Sequence, residues 1–73
     1  MKERYLLGGS TVLLRALVEV VTADDDLDLI AIGGTADHPS HLVVEVPAEW
    51  ADALRLAFRG QLIVEPDALI DPS

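Results

Sequence analysis

Three short clusters of side chains in this sequence have types and spacings that could bind a metal or support catalysis. Asp24, Asp26 and Asp28 have the D-x-D-x-D spacing that opens a calcium-binding loop. The pattern then fails, because Leu29 stands where the sharp turn of such a loop needs glycine, and Thr35 stands where it needs a bidentate glutamate. We therefore interpret the three carboxylates as a solvated acidic turn.

The second cluster contains Asp37, His38 and His41, and it includes both histidines of the chain. Imidazole and carboxylate groups are ordinary zinc ligands. However, Pro39 lies between the histidines and disfavours a regular helix that would place both rings on one face. A complete site would need a further ligand from elsewhere. We interpret the pair as ordinary loop histidines and predict no metal and no other cofactor.

The third cluster is a serine beside a histidine, Ser40 and His41, with Ser10 as the other candidate nucleophile. Neighbouring residues on a strand point to opposite faces, and the Gly-x-Ser-x-Gly elbow of a serine hydrolase is missing. The chain has no cysteine, which removes thiol nucleophiles, disulfides and thiolate metal ligands. The sequence therefore predicts a protein that is not an enzyme.

Composition limits the partners. The 73 residues include 13 acidic and 5 basic side chains, for a net charge of −8. This balance argues against nucleic acid and anionic membranes as partners, because phosphate binding depends on clustered lysine and arginine. No apolar run approaches the ~18 residues of a membrane helix, since Arg15 and Glu19 interrupt the richest region. We expect one small acidic domain over residues 1–73, located in the cytoplasm.

The elements that position these clusters are predicted to form an α+β domain. The segment from Ser10 to Thr22 is rich in β-branched residues and carries apolar residues at every second position, which predicts a strand. A helix that begins at Ser10 is the alternative, because the leucines and the alanine there also favour a helix. The alternating apolar positions are Val12, Leu14, Ala16, Val18 and Val20.

The rest of the chain predicts one helix and several short strands. Pro47 suits the first position of a helix and Gly60 the position just past its end, so the helix spans about 47–59. The predicted fold is an antiparallel β-meander of four to five strands with this helix packed on one face. The other predicted strands are 5–7, joined to the next by a Gly8-Gly9 hairpin, and 27–32, 41–46 and 61–65.

The apolar content predicts self-association. A small domain has much surface, yet 51% of the residues are hydrophobic and the mean hydropathy is +0.35. If the helix covers one face of the sheet, a second copy of the sheet would cover the other. We expect a non-enzymatic interaction domain that forms a homodimer. The predicted contact residues are Leu13, Leu17 and Val21 of segment 10–22, Leu56 on the helix, and Leu69 and Ile70 in the tail.

The alternative function is an acidic inhibitor or antitoxin-like protein that occupies the basic surface of a partner protein. Complementary charge would accelerate the encounter and make the binding sensitive to salt. The predicted acidic patch consists of Asp24, Asp25, Asp26, Asp28 and Asp37.

Overall fold

The computed structural model describes residues 2–67 and shows an α+β fold with an antiparallel four-stranded sheet. The strand order is β2-β3-β1-β4, and each pair of neighbours is antiparallel. The α+β class and the antiparallel sheet are confirmed, whereas the described residues contain two helices. The elements are β1 (Lys2–Gly9), α1 (Thr11–Ala23), β2 (Asp28–Gly34), β3 (Pro39–Pro47), α2 (Ala48–Ala57) and β4 (Leu62–Pro66).

The connectivity corrects the predicted meander. In a meander each strand lies beside the next one in the chain, but here β1 lies in the middle of the sheet, between β3 and β4. A helix links β1 to β2 and a second helix links β3 to β4, so the order is βαββαβ. This is the ferredoxin-like, or split βαβ, arrangement. The fold alone carries no function, because such frameworks host many unrelated activities.

The segment predicted as a strand from Ser10 to Thr22 is helix α1, which is the main correction. The Ser10 hydroxyl accepts a hydrogen bond from the Leu13 amide at 3.2 Å and caps the first turn. Leu14, Leu17 and Val21 follow at helical spacing and are all buried. The period-two pattern misled because α1 is apolar around most of its circumference, so its sequence satisfies both periods.

The predicted Gly8-Gly9 hairpin is also wrong, because β1 continues through both glycines before α1 begins. Neither glycine has a positive φ. Glycine is instead needed at position 9 because the backbone of residue 61 passes close to it. A Cβ there would lie 2.9 Å from the Gln61 carbonyl oxygen, where β4 enters the sheet.

The predicted helix at 47–59 and the predicted strands at 27–32, 41–46 and 61–65 are confirmed in position. Pro47 is the N-cap of α2, and Gly60 lies in the turn after the helix with a φ of +82°. Glu49 in the first turn and Arg55 in the last complement the helix dipole. The Arg55 guanidinium also donates to the Val64 carbonyl at 3.1 Å, which ties α2 to β4.

Both helices pack on the same face of the sheet, which we call the covered face. Alternate residues of β1, β3 and β4 join the buried residues of α1 and α2 in one cluster. Burial of these side chains is the main stabilising contribution to the fold. The strand residues of the cluster are Tyr5, Leu7, Leu42, Val44, Val46, Leu62 and Val64.

Candidate interaction surfaces

The opposite side of the sheet, which we call the open face, carries no helix among the described residues. Its side chains alternate with those of the core, because successive residues of a strand point to opposite faces. The register gives three rows that cross the sheet. The rows are Asp28–Glu45–Arg4, then Ala31–Val43–Leu6–Glu65, and last Gly33–His41–Gly8–Ile63.

The middle row of the open face is apolar on β2, β3 and β1 and ends at the exposed Glu65 on β4. Leu6 and Val43 are directly opposite one another on the two central strands and are half-buried. Ile63 on β4 is 60% exposed. On the other side, a β-bulge in β2 places the consecutive residues Ile30 and Ala31 against Val43, and both are exposed. Apolar side chains thus extend across all four strands.

One end of the open face is charged. The Lys2 ammonium donates to the Asp28 carboxylate at 2.8 Å, and the Arg4 guanidinium lies 3.5 Å from the Glu45 carboxylate. The hydrogen bond to Asp28 raises the pKa of Lys2 above its usual value. All four side chains are exposed by a third or more, so these pairs stabilise the fold little. Their fixed arrangement can still orient a partner.

The other end of the open face carries the His41 imidazole, which lies across Gly33. A Cβ added to Gly33 would overlap the ring, so the missing side chain is what makes room for it. The Ser40 hydroxyl is 3.3 Å from Nδ1 of His41. This contact corrects our expectation that the two side chains diverge. No carboxylate is hydrogen-bonded to His41 within residues 2–67.

The outward side of α1 is a second exposed apolar surface. Val12, Ala16 and Val20 lie one turn apart along it, and Val12 is 78% and Val20 49% exposed. Arg15 and Glu19 follow the same line of the helix and, with Val12 and Ala16, form a shallow depression. This side points away from the sheet, because Leu14, Leu17 and Val21 occupy the inward side.

The predicted acidic residues are all exposed, but the structure does not bring all five of them together. Asp24 accepts from the Asp26 amide at 2.9 Å and closes the turn after α1, and Asp28 is bound to Lys2. Asp25 lies in the same turn. Asp37 is in the hairpin after β2, at the opposite end of a seven-residue strand. Four of the five carboxylates therefore share one end of the molecule, and Asp37 does not.

The predicted contact residues divide into three groups. Leu17 and Val21 belong to the core of the chain itself, which removes them from its surface, and Leu13 is half-buried against the same core. Leu56 is 69% exposed on the outward side of α2. Leu69 and Ile70 lie outside the described residues.

Sequence analysis missed the surface residues that now stand out, which are Leu6, Val43 and Ile63 on the sheet and Val12, Ala16 and Val20 on α1. A signal for Val43 was present, since it shares a strand face with His41 and Glu45. An apolar residue on the polar side of an amphipathic strand can indicate a contact site on the surface. The residues of α1 gave no signal while the segment was interpreted as a strand.

Within residues 2–67, no helix is long and apolar enough to cross a membrane. In the same range, no group of three or more histidine, aspartate or glutamate side chains converges in a way that could hold a metal ion. Asp37, His38 and His41 therefore do not form such a group. Comparison with protein-family models, with curated proteins and with solved structures gives no match.

Proposed function

We propose that this chain is a non-enzymatic interaction domain that associates with a second copy of itself through the open face of the sheet. The observation that carries the proposal is the apolar band across the open face, centred on Leu6, Val43 and Ile63. A contiguous exposed apolar surface with a charged border is typical of protein contact sites. Stacked sheets bury such faces at a spacing of about 10 Å.

The charges favour a second copy as the partner. A two-fold axis that runs parallel to the strands, between β1 and β3, lays β1 of one copy over β3 of the other. Each Arg4 then faces Glu45 of the second copy, and each Leu6 faces its Val43. A two-fold axis perpendicular to the strands, at the level of this charged row, would bring Arg4 against Arg4 and Glu45 against Glu45. Of these two orientations, only the first brings Arg4 against Glu45.

The same orientation gives Ile63 a place. It lies in the row of Gly8 and His41, at the edge of the sheet, so the axis brings it over Gly33 of the second copy. The His41 ring lies across Gly33, so Ile63 would contact this flat aromatic ring. A β4 side chain that is exposed in the monomer thereby acquires a contact in the dimer.

The size of the face sets the expected strength. Four strands about 4.8 Å apart and some six residues long give a flat area of about 400 Å². A standard stable interface buries about 800 Å² on each partner. We therefore expect a weak dimer with a dissociation constant in the micromolar range or above, in rapid exchange with the monomer.

The test compares two matched substitutions by sedimentation velocity across a concentration series. Ile63→Lys places a charge in the apolar band, and we expect it to weaken the dimer at least tenfold, which corresponds to about 1.4 kcal/mol. Leu56→Lys changes an equally exposed aliphatic residue on α2, on the other side of the sheet, and should leave this dimer unchanged. Equal effects of both substitutions, or a wild-type chain that stays monomeric at millimolar concentration, would overturn the proposal.

A charge exchange tests the orientation. Arg4→Glu and Glu45→Arg should each weaken association, because each brings like charges together across the two-fold axis. The double variant Arg4→Glu/Glu45→Arg restores both pairings and should recover the affinity. If the double variant is as weak as the single ones, the proposed axis is wrong.

A further inference from the structure

We propose that the outward side of α1 is a second self-association surface, on which α1 of another copy packs antiparallel. This goes beyond the proposed dimer, because it involves different residues on the other side of the molecule. A chain with two such surfaces builds assemblies larger than a dimer.

A line of exposed apolar side chains runs along the outward side of α1. A surface helix usually has an apolar side that faces the core and a polar side that faces solvent. In α1 the inward side is apolar and buried, yet the outward side also carries Val12, Ala16 and Val20, with Ala23 beyond them. Residues four apart form the ridges by which helices pack against one another. Ala16 at the centre of the line allows two helix axes to approach closely.

One basic and one acidic side chain lie beside this apolar line. Arg15 and Glu19 border the apolar residues on the same flank. They are not joined in an ion pair within their own helix, since the pairs within 4.0 Å among residues 2–67 are Lys2–Asp28, Arg4–Glu45 and Arg55–Asp52. In an antiparallel pair of helices, the same flanks of the two copies meet. Arg15 can then reach Glu19 of the second copy.

The charged and the apolar residues of α1 favour the same register of the helix pair. If a two-fold axis crosses the pair at the level of Leu17, Arg15 of each copy lies beside Glu19 of the other. In that register Ala16 fits between Ala16 and Val20 of the second helix, and Val12 fits between its Val20 and Ala23. In a parallel pair, opposite flanks meet, so the flank with Arg15 and Glu19 would face the other flank of the second helix and Arg15 would not reach Glu19. The pattern thus selects an antiparallel partner and favours a second copy of this chain.

The position of α1 determines what the two surfaces do together. The helices occupy the covered face of the sheet, so the outward side of α1 and the open face look in opposite directions. Copies that use both surfaces alternate sheet-to-sheet and helix-to-helix contacts. A copy that uses both surfaces joins two others into a trimer, and each further copy leaves one of its surfaces free, so the series can continue beyond it. Because one helix pair is small, association through α1 should require higher concentration than a standard interface.

The experiment measures the mass distribution by sedimentation velocity from micromolar to millimolar concentration, with circular dichroism as the check on folding. Ala16→Glu places two carboxylates at the centre of the proposed helix pair, and glutamate is itself a good helix former. Ala53→Glu makes the same change at an exposed position of α2 and is the matched control. We expect Ala16→Glu to remove all species larger than a dimer, and Ala53→Glu to leave the mass distribution unchanged.

Combination with Ile63→Lys separates this inference from the proposed function. If both surfaces are used, each single variant stops at a dimer and the double variant Ile63→Lys/Ala16→Glu is monomeric. If only the α1 surface is used, Ile63→Lys behaves like wild type and Ala16→Glu is monomeric, so the inference stands without the sheet dimer. If Ala16→Glu and Ala53→Glu give the same masses as wild type throughout, the inference is overturned.

A charge exchange provides a second readout that does not depend on Ala16. Arg15→Glu and Glu19→Arg should each abolish the larger species, because each brings like charges together between the helices. The double variant Arg15→Glu/Glu19→Arg restores the cross-helix pairs and should recover the larger species. Failure of the double variant to recover it, with all three variants folded, would overturn the antiparallel register.

Discussion

The two faces of the sheet are made from alternate residues of the same strands, yet they have different compositions. Tyr5, Leu7 and Val44 on the covered face are fully or almost fully buried under the helices. One residue along, Leu6 and Val43 on the open face are only half-buried and have Arg4 and Glu45 beside them. A core face excludes charge throughout, whereas a contact face keeps an apolar centre and uses charges at its border.

The two helices cover only one side of the sheet. Two short helices are enough to cover one side of a four-stranded sheet, and they contribute all of the buried helical residues to that side. The second side has apolar residues but no element to cover them within residues 2–67. The difference between the faces can be tested by substitutions whose effects on monomer stability should differ widely.

The largest expected effect separates neighbouring leucines of β1. Leu7→Ala removes a fully buried side chain from the covered face and should lower the free energy of unfolding by about 3 kcal/mol. Leu6→Ala removes a half-buried side chain from the open face and should cost about 1 kcal/mol or less. Urea denaturation at low protein concentration measures both. Equal losses would mean that the open face is covered in the monomer.

The next effect concerns two glycines at the His41 end of the open face. Gly34 has a φ of +88°, and a Cβ there would lie 2.7 Å from the His38 carbonyl oxygen, so Gly34→Ala should cost about 1–2 kcal/mol. The atoms nearest to a Cβ at Gly33 all belong to the His41 ring, which can rotate away, so Gly33→Ala should cost less than about 1 kcal/mol. Denaturant unfolding and the NMR shifts of His41 test this. A large cost at Gly33 would show that the ring is held in place.

Alkaline pH should affect the covered face through Tyr5. Burial raises the pKa of its phenol above the ordinary value of 10.0. The folded state then holds this proton more tightly than the unfolded state. The contribution of Tyr5 to the free energy of unfolding is therefore fully present below pH 10.0 and is lost as the pH rises through the raised pKa. Unfolding free energies of wild type and Tyr5→Phe between neutral and alkaline pH measure this. The variant should lose less stability, and an identical loss would contradict the assignment.

A smaller loss of the same sign should persist in Tyr5→Phe. The Asp28 carboxylate raises the pKa of Lys2 above 10.5, so this contact is present below that pH and is lost as the ammonium deprotonates. Lys2 belongs to the charged end of the open face, where exposure keeps such contributions small.

The smallest effect on monomer stability is expected for Arg4→Gln. The Arg4–Glu45 pair is exposed, so its loss should change the free energy of unfolding by no more than about 0.5 kcal/mol. The same substitution should nevertheless weaken the proposed sheet dimer, because it removes charge from both sides of the two-fold axis. Unfolding and sedimentation of the same sample separate the two quantities. A loss of stability comparable to that of Leu7→Ala would contradict this division between the faces.

How much of this fold can be predicted from sequence depends on how local its signals are. The α2 helix was predictable because Pro47, Gly60 and the charges at its ends act within the helix itself. The strand around Val43 was predictable because one face alternates without interruption. The α1 helix was not, since apolar residues around its circumference also satisfy the period of a strand. Its cap, Ser10, is a single residue and could not outweigh the β-branched positions.

The strand order and both candidate surfaces depend on contacts between distant parts of the chain. Nothing near β1 indicates that it pairs with β3 and β4, because these partners lie some forty to sixty residues away. Once β1 is central, Leu6 and Val43 become neighbours and the apolar band follows. The general surplus of apolar residues was predictable, but its location required the topology.

The bulge in β2 and the proline that ends β4 both affect the edge strands of the sheet. An outer strand with regular, unsatisfied backbone groups would invite another sheet to extend it, which leads to uncontrolled aggregation. β2 is irregular at Ile30, and β4 has five residues and ends at Pro66, which has no amide proton to donate. Both margins of the sheet are thus poor templates for strand addition. The proposed association would therefore depend on side chains, whose pairing can be specific and reversible.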